Sequence, residues 1–325
     1  MTTEERPNLI TEHQLNQYIY RLVNLENNDL LVLLDSRIKC LKSPHYRLQD
    51  ALDISFSNSK IDAICLWKNN HIIVKTPEKF YIIELFLDNT NYRILSQFNM
   101  FEKVFLRYQK IIPINKYSNL LLNISSKFVL LEEYQPNTFQ VLKIFNHKLG
   151  FNSYIQVRKN EILCNSSNDK KVFFINIHKG IILKEIENIQ VYIEDIDSFC
   201  KINKNIVGMG GDYHEGIYLF DINKRELIYH YKKDYRGYNS LLRIGKNKFL
   251  GESYNGRCYG ESDDESEEFY CTHFFEYDEK EKKIKPPYKE SVDRIYELKR
   301  RNFIKFNREN KIAYSTKDKF YIENI

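Results

Sequence analysis

One pattern recurs seven times along this chain: a short apolar run, a polar turn carrying Asn, a second apolar run, a polar gap and a third apolar run. The turn residues are Asn28, Asn70, Asn119, Asn160, Asn205, Asn247 and Asn310. Asn tolerates the left-handed backbone of a tight hairpin, so these residues read as turn formers rather than as ligands. A repeat of roughly 40–50 residues made only of short strands restricts the chain to a radially repeated all-β architecture.

Three strands, a, b and c, are legible in each unit. The second unit reads Ala63-Ile64-Cys65-Leu66-Trp67, then Asn69-Asn70, Ile72-Ile73-Val74, and Phe80 through Leu85. The fifth reads Phe199 to Ile202, Asn205, Ile206 to Gly208, and Ile217 to Ile222. Strand c often closes on apolar, acidic or Asn, apolar: Ile83-Glu84-Leu85, Ile175-Asn176-Ile177, Phe220-Asp221-Ile222, Phe275-Glu276-Tyr277. A fourth strand, d, is expected at residues 51–56, 92–98, 139–145, 181–186 and 227–231. In unit six, residues 282–287 are charged and carry prolines, which suits an outer edge. Unit seven has no candidate d strand before Ile325, and an open edge needs a cover. The stretch Leu9-Ile10-Thr11-Glu12-His13 is spaced to supply it. The expected fold is all-β, a seven-bladed β-propeller closed by an N-terminal strand pairing in the last blade. One propeller domain then spans residues 1–325, with an acidic loop insertion at 259–268. The competing reading at the N-terminus is an amphipathic helix over residues 11–22.

The chain resembles the WD40-type propellers over nearly its whole length, in repeat length, four-stranded blades and closure. It is a divergent resemblance: no Gly-His precedes strand a and no Trp-Asp ends strand c, Phe220-Asp221 being the nearest equivalent. The one Trp, Trp67, falls in a strand a. Gly210-Gly211 looks like a kelch doublet but occurs once.

Hydrophobic residues at 42% and aromatics at 14% supply a large core and argue against global disorder. A net charge of +5 falls short of a nucleic-acid domain with a dedicated basic stripe, so no nucleic acid is expected. The first residues lack a basic segment followed by an apolar one, and no apolar run nears the ~18–20 residues that span a bilayer. A cytoplasmic or nuclear protein with reduced thiols is expected, monomeric outside its complexes and not membrane-bound.

No catalytic motif emerges: there is no P-loop, no G-x-S-x-G and no H-E-x-x-H. Cys258, Cys271 and His273 lack a fourth partner at zinc-ligand spacing, and no cofactor is expected. Asp212-Tyr213-His214-Glu215 reads as a polar turn. The sharpest anomaly is the acidic run Glu261, Ser262, Asp263, Asp264, Glu265, Ser266, Glu267, Glu268, placed between strands b and c of unit six. Like charges repel and stay solvated, so the run reads as a loop that could dock a basic partner. Ser262, with Glu265 three residues on, fits an acid-directed phosphorylation site. Arg300 and Arg301 form a basic counterpart. The run Leu298-Lys299-Arg300-Arg301-Asn302 is similar to the Phe/Leu-Arg-Arg-Gly motif of phosphoinositide-binding propellers but lacks its Gly. The expected function is a non-enzymatic protein–protein interaction scaffold. The alternatives are a propeller enzyme or small-ligand binder, and a phosphoinositide-binding propeller.

Overall fold

The structure, a computed structural model, describes residues 9–15, 17–56, 59–68, 70–86, 91–99, 111–115, 119–124, 127–146, 151–166, 170–189, 199–211, 215–232, 237–255, 269–287, 289–293, 301–306, 311–315 and 319–324. Apart from one 3-10 turn at Leu48–Asp50, every regular element among them is a strand. The strands form seven antiparallel sheets in chain order, a seven-bladed β-propeller. In strand order a to d, blade one is Arg21–Asn24, Leu30–Leu33, Arg37–Leu41 and Leu52–Ser55. Blade two is Ala63–Trp67, His71–Lys75, Lys79–Leu85 and Tyr92–Asn99. Blade three is Ile111–Ile114, Asn119–Ile124, Lys127–Gln135 and Thr138–Asn146. Blade four is Phe151–Arg158, Glu161–Ser166, Lys171–Asn176 and Ile181–Ile186. Blade five is Phe199–Lys201, Ile206–Gly210, Ile217–Asp221 and Glu226–Tyr231.

Blade six departs from the expected pattern. Its strand a, Gly237–Arg243, begins four residues before the apolar run at Leu241. Lys248–Asn255 and Phe269–Asp278 follow, and the outer strand is split into Lys283–Ile284 and Lys289–Asp293, both paired to Phe269–Asp278. Pro286 and Pro287 lie in the gap, and neither has an N–H to give to the ladder.

Blade seven is Arg301–Lys305, Lys311–Ser315 and Lys319–Asn324, and its outer strand is Leu9–Gln14. Leu9 sits opposite Glu323 and Gln14 opposite Lys319. The helix reading of residues 11–22 is thereby overturned, because hydrogen bonding to an otherwise open edge outweighs a weak helical periodicity. His13 lies on this seam, its ring centroid 5.0 Å from that of Phe320. Its Nε2 is buried without a hydrogen-bond partner. Burial holds the imidazole below the usual histidine value, and a main-chain contact to Tyr46 opposes the shift. The unfolded chain therefore binds the proton more readily, so stability falls as pH drops through and below about 6.5. Melting temperatures recorded from pH ~7.5 to ~5 should fall more steeply for the wild type than for His13→Phe. Parallel curves would show that His13 does not titrate differently on folding.

The chain divides into two compact units. The first (Met1–Arg107, Gln135–Thr138 and Lys299–Ile325) holds blades one, two and seven; the second (Tyr108–Tyr134 and Phe139–Leu298) holds blades three to six. In each unit the core lies between sheets. Leu31, Ile38 and Ile54 of blade one pack with Ile64, Val74 and Ile83 of blade two. In the second unit, Leu163 and Phe174 of blade four meet Val207, Met209 and Phe220 of blade five. Trp67 and Phe220 are both fully buried. Four buried cysteines, Cys40, Cys65, Cys164 and Cys200, are free thiols inside this core. Burial pushes the first two and Cys200 up to about 12, which keeps them inert as nucleophiles.

The repeat has a hydrogen-bond signature. In four blades the carbonyl of the a–b turn Asn accepts the N–H of the apolar residue that closes strand c: Asn70 from Leu85, Asn160 from Ile177, Asn205 from Ile222, Asn247 from Tyr277, at 2.8–2.9 Å. The residue before it takes one of two roles according to length. The short Asn176 and Asp221 accept main-chain N–H groups of the c–d turn, Lys179 at 2.8 Å and Asn223 at 2.7 Å respectively. The longer Glu84 and Glu276 reach across to Arg93 and Lys285 instead.

Candidate functional site

In a blade whose four strands follow one another, the meander places the a–b and c–d connections at one end of the sheet. In the second unit this turn end is a lattice of polar side chains running from blade to blade. Asn115, at φ 53° after strand a of blade three, is its hub. Its Nδ2 donates to Asn119 Oδ1 at 3.0 Å and to Asn160 Oδ1 at 2.5 Å. Its Oδ1 accepts from Gln156 Nε2 and from the Asn160 N–H, each at 3.0 Å. Farther along, Asn203 Nδ2 donates to Asn247 Oδ1 at 2.9 Å. Arg225, in the c–d turn of blade five, grips buried Glu161 of blade four through two nitrogens at 2.8 and 3.2 Å.

A pocket of about 810 Å³ opens on this lattice, with Asn115, Gln156, Arg158, His178, Lys201 and Leu142 in its wall. Lys201 Nζ donates to the Val157 carbonyl at 2.9 Å. Burial, then the Arg243 and Arg158 guanidinium groups, hold its ammonium below the usual lysine value. Glu132 is a carboxylate in the wall. The chemistry on offer is that of binding: amides fixed by their neighbours, and cations close to one another.

Of the residues singled out from sequence, Glu261, Ser262, Asp263, Asp264, Glu265, Glu267, Glu268 and Arg300 lie outside the described residues. Arg301 opens strand a of blade seven. Asn255 and Phe269, the described residues flanking the acidic segment, are registered partners on strands b and c of blade six. Cys258, Asp212, Tyr213 and His214 also lie outside. Glu215 is tied down by Tyr218, whose hydroxyl donates to it at 2.6 Å. His273 is buried, with Ser253 Oγ 3.4 Å from its Nδ1 and Tyr238 edge-on. Among the described residues no three His, Cys, Asp or Glu side chains converge as a metal site would require.

No family model and no curated protein matches this sequence. Solved structures do match. One, titled the crystal structure of the mitotic checkpoint complex, superposes with a TM-score of 0.72 at 8% identity, over 100% of this chain and 95% of that chain. The shared fold is the seven-bladed β-propeller expected from the resemblance to WD40-type propellers. The crystal structure of Saccharomyces cerevisiae Sqt1 matches at a TM-score of 0.65 and 10% identity, over 98% of this chain and 99% of that chain.

Phe220 fills the core between blades four and five, and Asp221 caps the c–d turn. The glycine pair of blade five serves packing. A Cβ on Gly210 would stand 1.8 Å from the Tyr238 carbonyl oxygen of blade six, and the Tyr238 N–H donates to Gly211 O at 2.7 Å. The residues that sequence reading missed are the cations of the turn end. Aligning units five and six on their turn Asn residues would have found Lys201 and Arg243, each four residues before it; Arg158 stands two before Asn160 and joins them only because all three end strand a.

Proposed function

We propose that residues 1–325 form one propeller domain that acts as a non-enzymatic protein–protein interaction scaffold. The observation that carries this reading is the whole-chain likeness to a WD40-type propeller whose structure is titled as that of a multi-protein complex. Blade packing fixes the frame, and turns and loops at the blade ends are left to carry recognition. The turn end of blades three to six, with its fixed amides and clustered cations, is suited to the binding of a partner. The acidic run around Ser262 supplies a second surface of opposite charge, and Arg300 with Arg301 a further basic contact. Among the described residues, no helix is long and apolar enough to cross a membrane. Its proposed place is the cytoplasm.

Affinity purification of the tagged full chain, followed by identification of what co-purifies, tests this. A reproducible, near-stoichiometric partner set is the expected result. A monomer recovered alone that binds anionic liposomes would instead favour phosphoinositide recognition.

A further inference from the structure

At the turn end of the second unit, the last residue of strand a is basic in three consecutive blades: Arg158, Lys201 and Arg243. Each is followed in its turn by an exposed lysine, Lys159, Lys204 or Lys246. No carboxylate of a described residue pairs with Arg158, Lys201 or Arg243. Their hydrogen bonds go to neutral oxygens: Arg158 Nη2 to Asn223 Oδ1, Lys201 Nζ to Val157 O, and Arg243 Nε to Gly245 O at 3.1 Å. Glu132 shares the pocket wall without pairing to them, and three further carboxylates of this end are engaged elsewhere. Glu161 is held by Arg225, Asp221 caps its own turn, and Glu279 accepts from Asn247 Nδ2 at 2.8 Å.

Like charges brought together without a counter-charge raise the local potential and favour an anion that supplies it. Burial first, and then the neighbouring Arg243 and Arg158, hold the Lys201 ammonium below its usual value. The cations come one per blade, in a row, rather than converging on one point. The row starts at a pocket whose wall includes an apolar side chain, Leu142, 39% exposed. Among the described residues no Phe, Tyr or Trp lines this pocket and His178 is its one ring, a single small platform where a run of stacked bases would need several. A membrane surface would favour a broader apolar contact than one leucine.

We infer that the turn end of blades four to six docks an acidic peptide segment of a partner protein, its carboxylates on Arg158, Lys201 and Arg243 and an apolar side chain against Leu142. This docking presupposes the scaffold role proposed above and names the chemistry of one partner.

Fluorescence anisotropy with the full chain and a labelled short peptide of glutamates around one leucine tests the site. Saturable binding that weakens with salt is expected. Arg158→Gln/Lys201→Gln/Arg243→Gln should weaken it by about tenfold or more. Lys170→Gln/Lys184→Gln/Lys232→Gln, which removes equal charge from exposed positions off this end, should change it by less than about twofold. If the first variant melts early, Lys159→Glu/Lys204→Glu, confined to exposed turn residues, should give the same loss. Equal losses in both triple variants, or no binding of the peptide, would overturn the inference. So would tighter binding of polyuridylate or phosphatidylserine vesicles with the same dependence on Arg158 and Arg243. Partners that co-purify equally with the wild type and the turn-end variant would sink this site while leaving the scaffold role intact. A wild-type chain that binds the peptide but recovers no partner would support the site and count against that role.

Discussion

A chain lacking residues 1–14 should aggregate and melt well below the full-length protein. Among the described residues Leu9–Gln14 is the one strand paired to the outer side of Lys319–Asn324, since the sheet order places the other strands of blade seven on its inner side. Its loss turns Lys319–Asn324 into an edge with a row of unpaired N–H and C=O groups, a ready template for another chain. The exposed Lys319–Glu12 ion pair at 3.0 Å contributes little to the seam. The ladder and the packing of His13 on Phe320 contribute more. In a chain of this size each kcal/mol lost lowers the melting temperature by about 2–4 °C or less. Static light scattering and calorimetry on the truncated protein check the outcome. A soluble chain with an unchanged transition would mean that blade seven does not depend on this strand.

The second large effect is expected in the core. Trp67→Ala and Phe220→Ala should each cost roughly 3–5 kcal/mol, the usual range when a buried large aromatic leaves a cavity that neighbours fill only in part. Trp67 ends strand a of blade two and is fully buried, with the Lys68 ammonium 5.3 Å from its ring centroid. Phe220 is packed between blades four and five among Leu163, Phe174 and Val207. Neither place can collapse without moving a strand. Ile94→Ala, at a side chain 49% exposed on an outer strand, is the contrast and should cost under about 1 kcal/mol. Chemical denaturation reads all three. A comparable loss at Ile94 and Phe220 would show that burial does not govern stability here.

The blades were legible in the sequence because their signal is local. A turn Asn and two apolar runs lie within one unit, and Asn28, Asn160 and Asn247 take the left-handed backbone expected of them, at φ 68°, 57° and 58°. Where the signal slipped, a neighbour had taken over the role. In blade two the positive φ falls on Lys68 rather than Asn70, and in blade three on Asn115 rather than Asn119. The second outer segment of blade six, Lys289–Asp293, went unread because its residues do not alternate and prolines precede it. The closing strand was legible only because a missing partner at one end matched a spare strand at the other.

The candidate site was the least legible part. Arg158, Lys201 and Arg243 are 43 and 42 residues apart, and each is unremarkable in a lysine-rich chain. What sets them apart is a shared place at the end of strand a and the lack of a pairing carboxylate among the described residues, both properties of the assembled sheets. The acidic run around Ser262 stood out in sequence for the opposite reason: its charges are consecutive.

The seam of blade seven also sets a clock on synthesis. Glu12 and Lys319, which meet across it, are 307 positions apart along the chain. Translation at about 5–20 residues per second separates their emergence by roughly 15–60 s. Over that interval Leu9–Gln14 has left the ribosome while the strand that will hold it has yet to be made. The first of the described strands is thus the last to find its place, and until then its N–H and C=O groups are open to whatever in the cell shelters an unpaired strand.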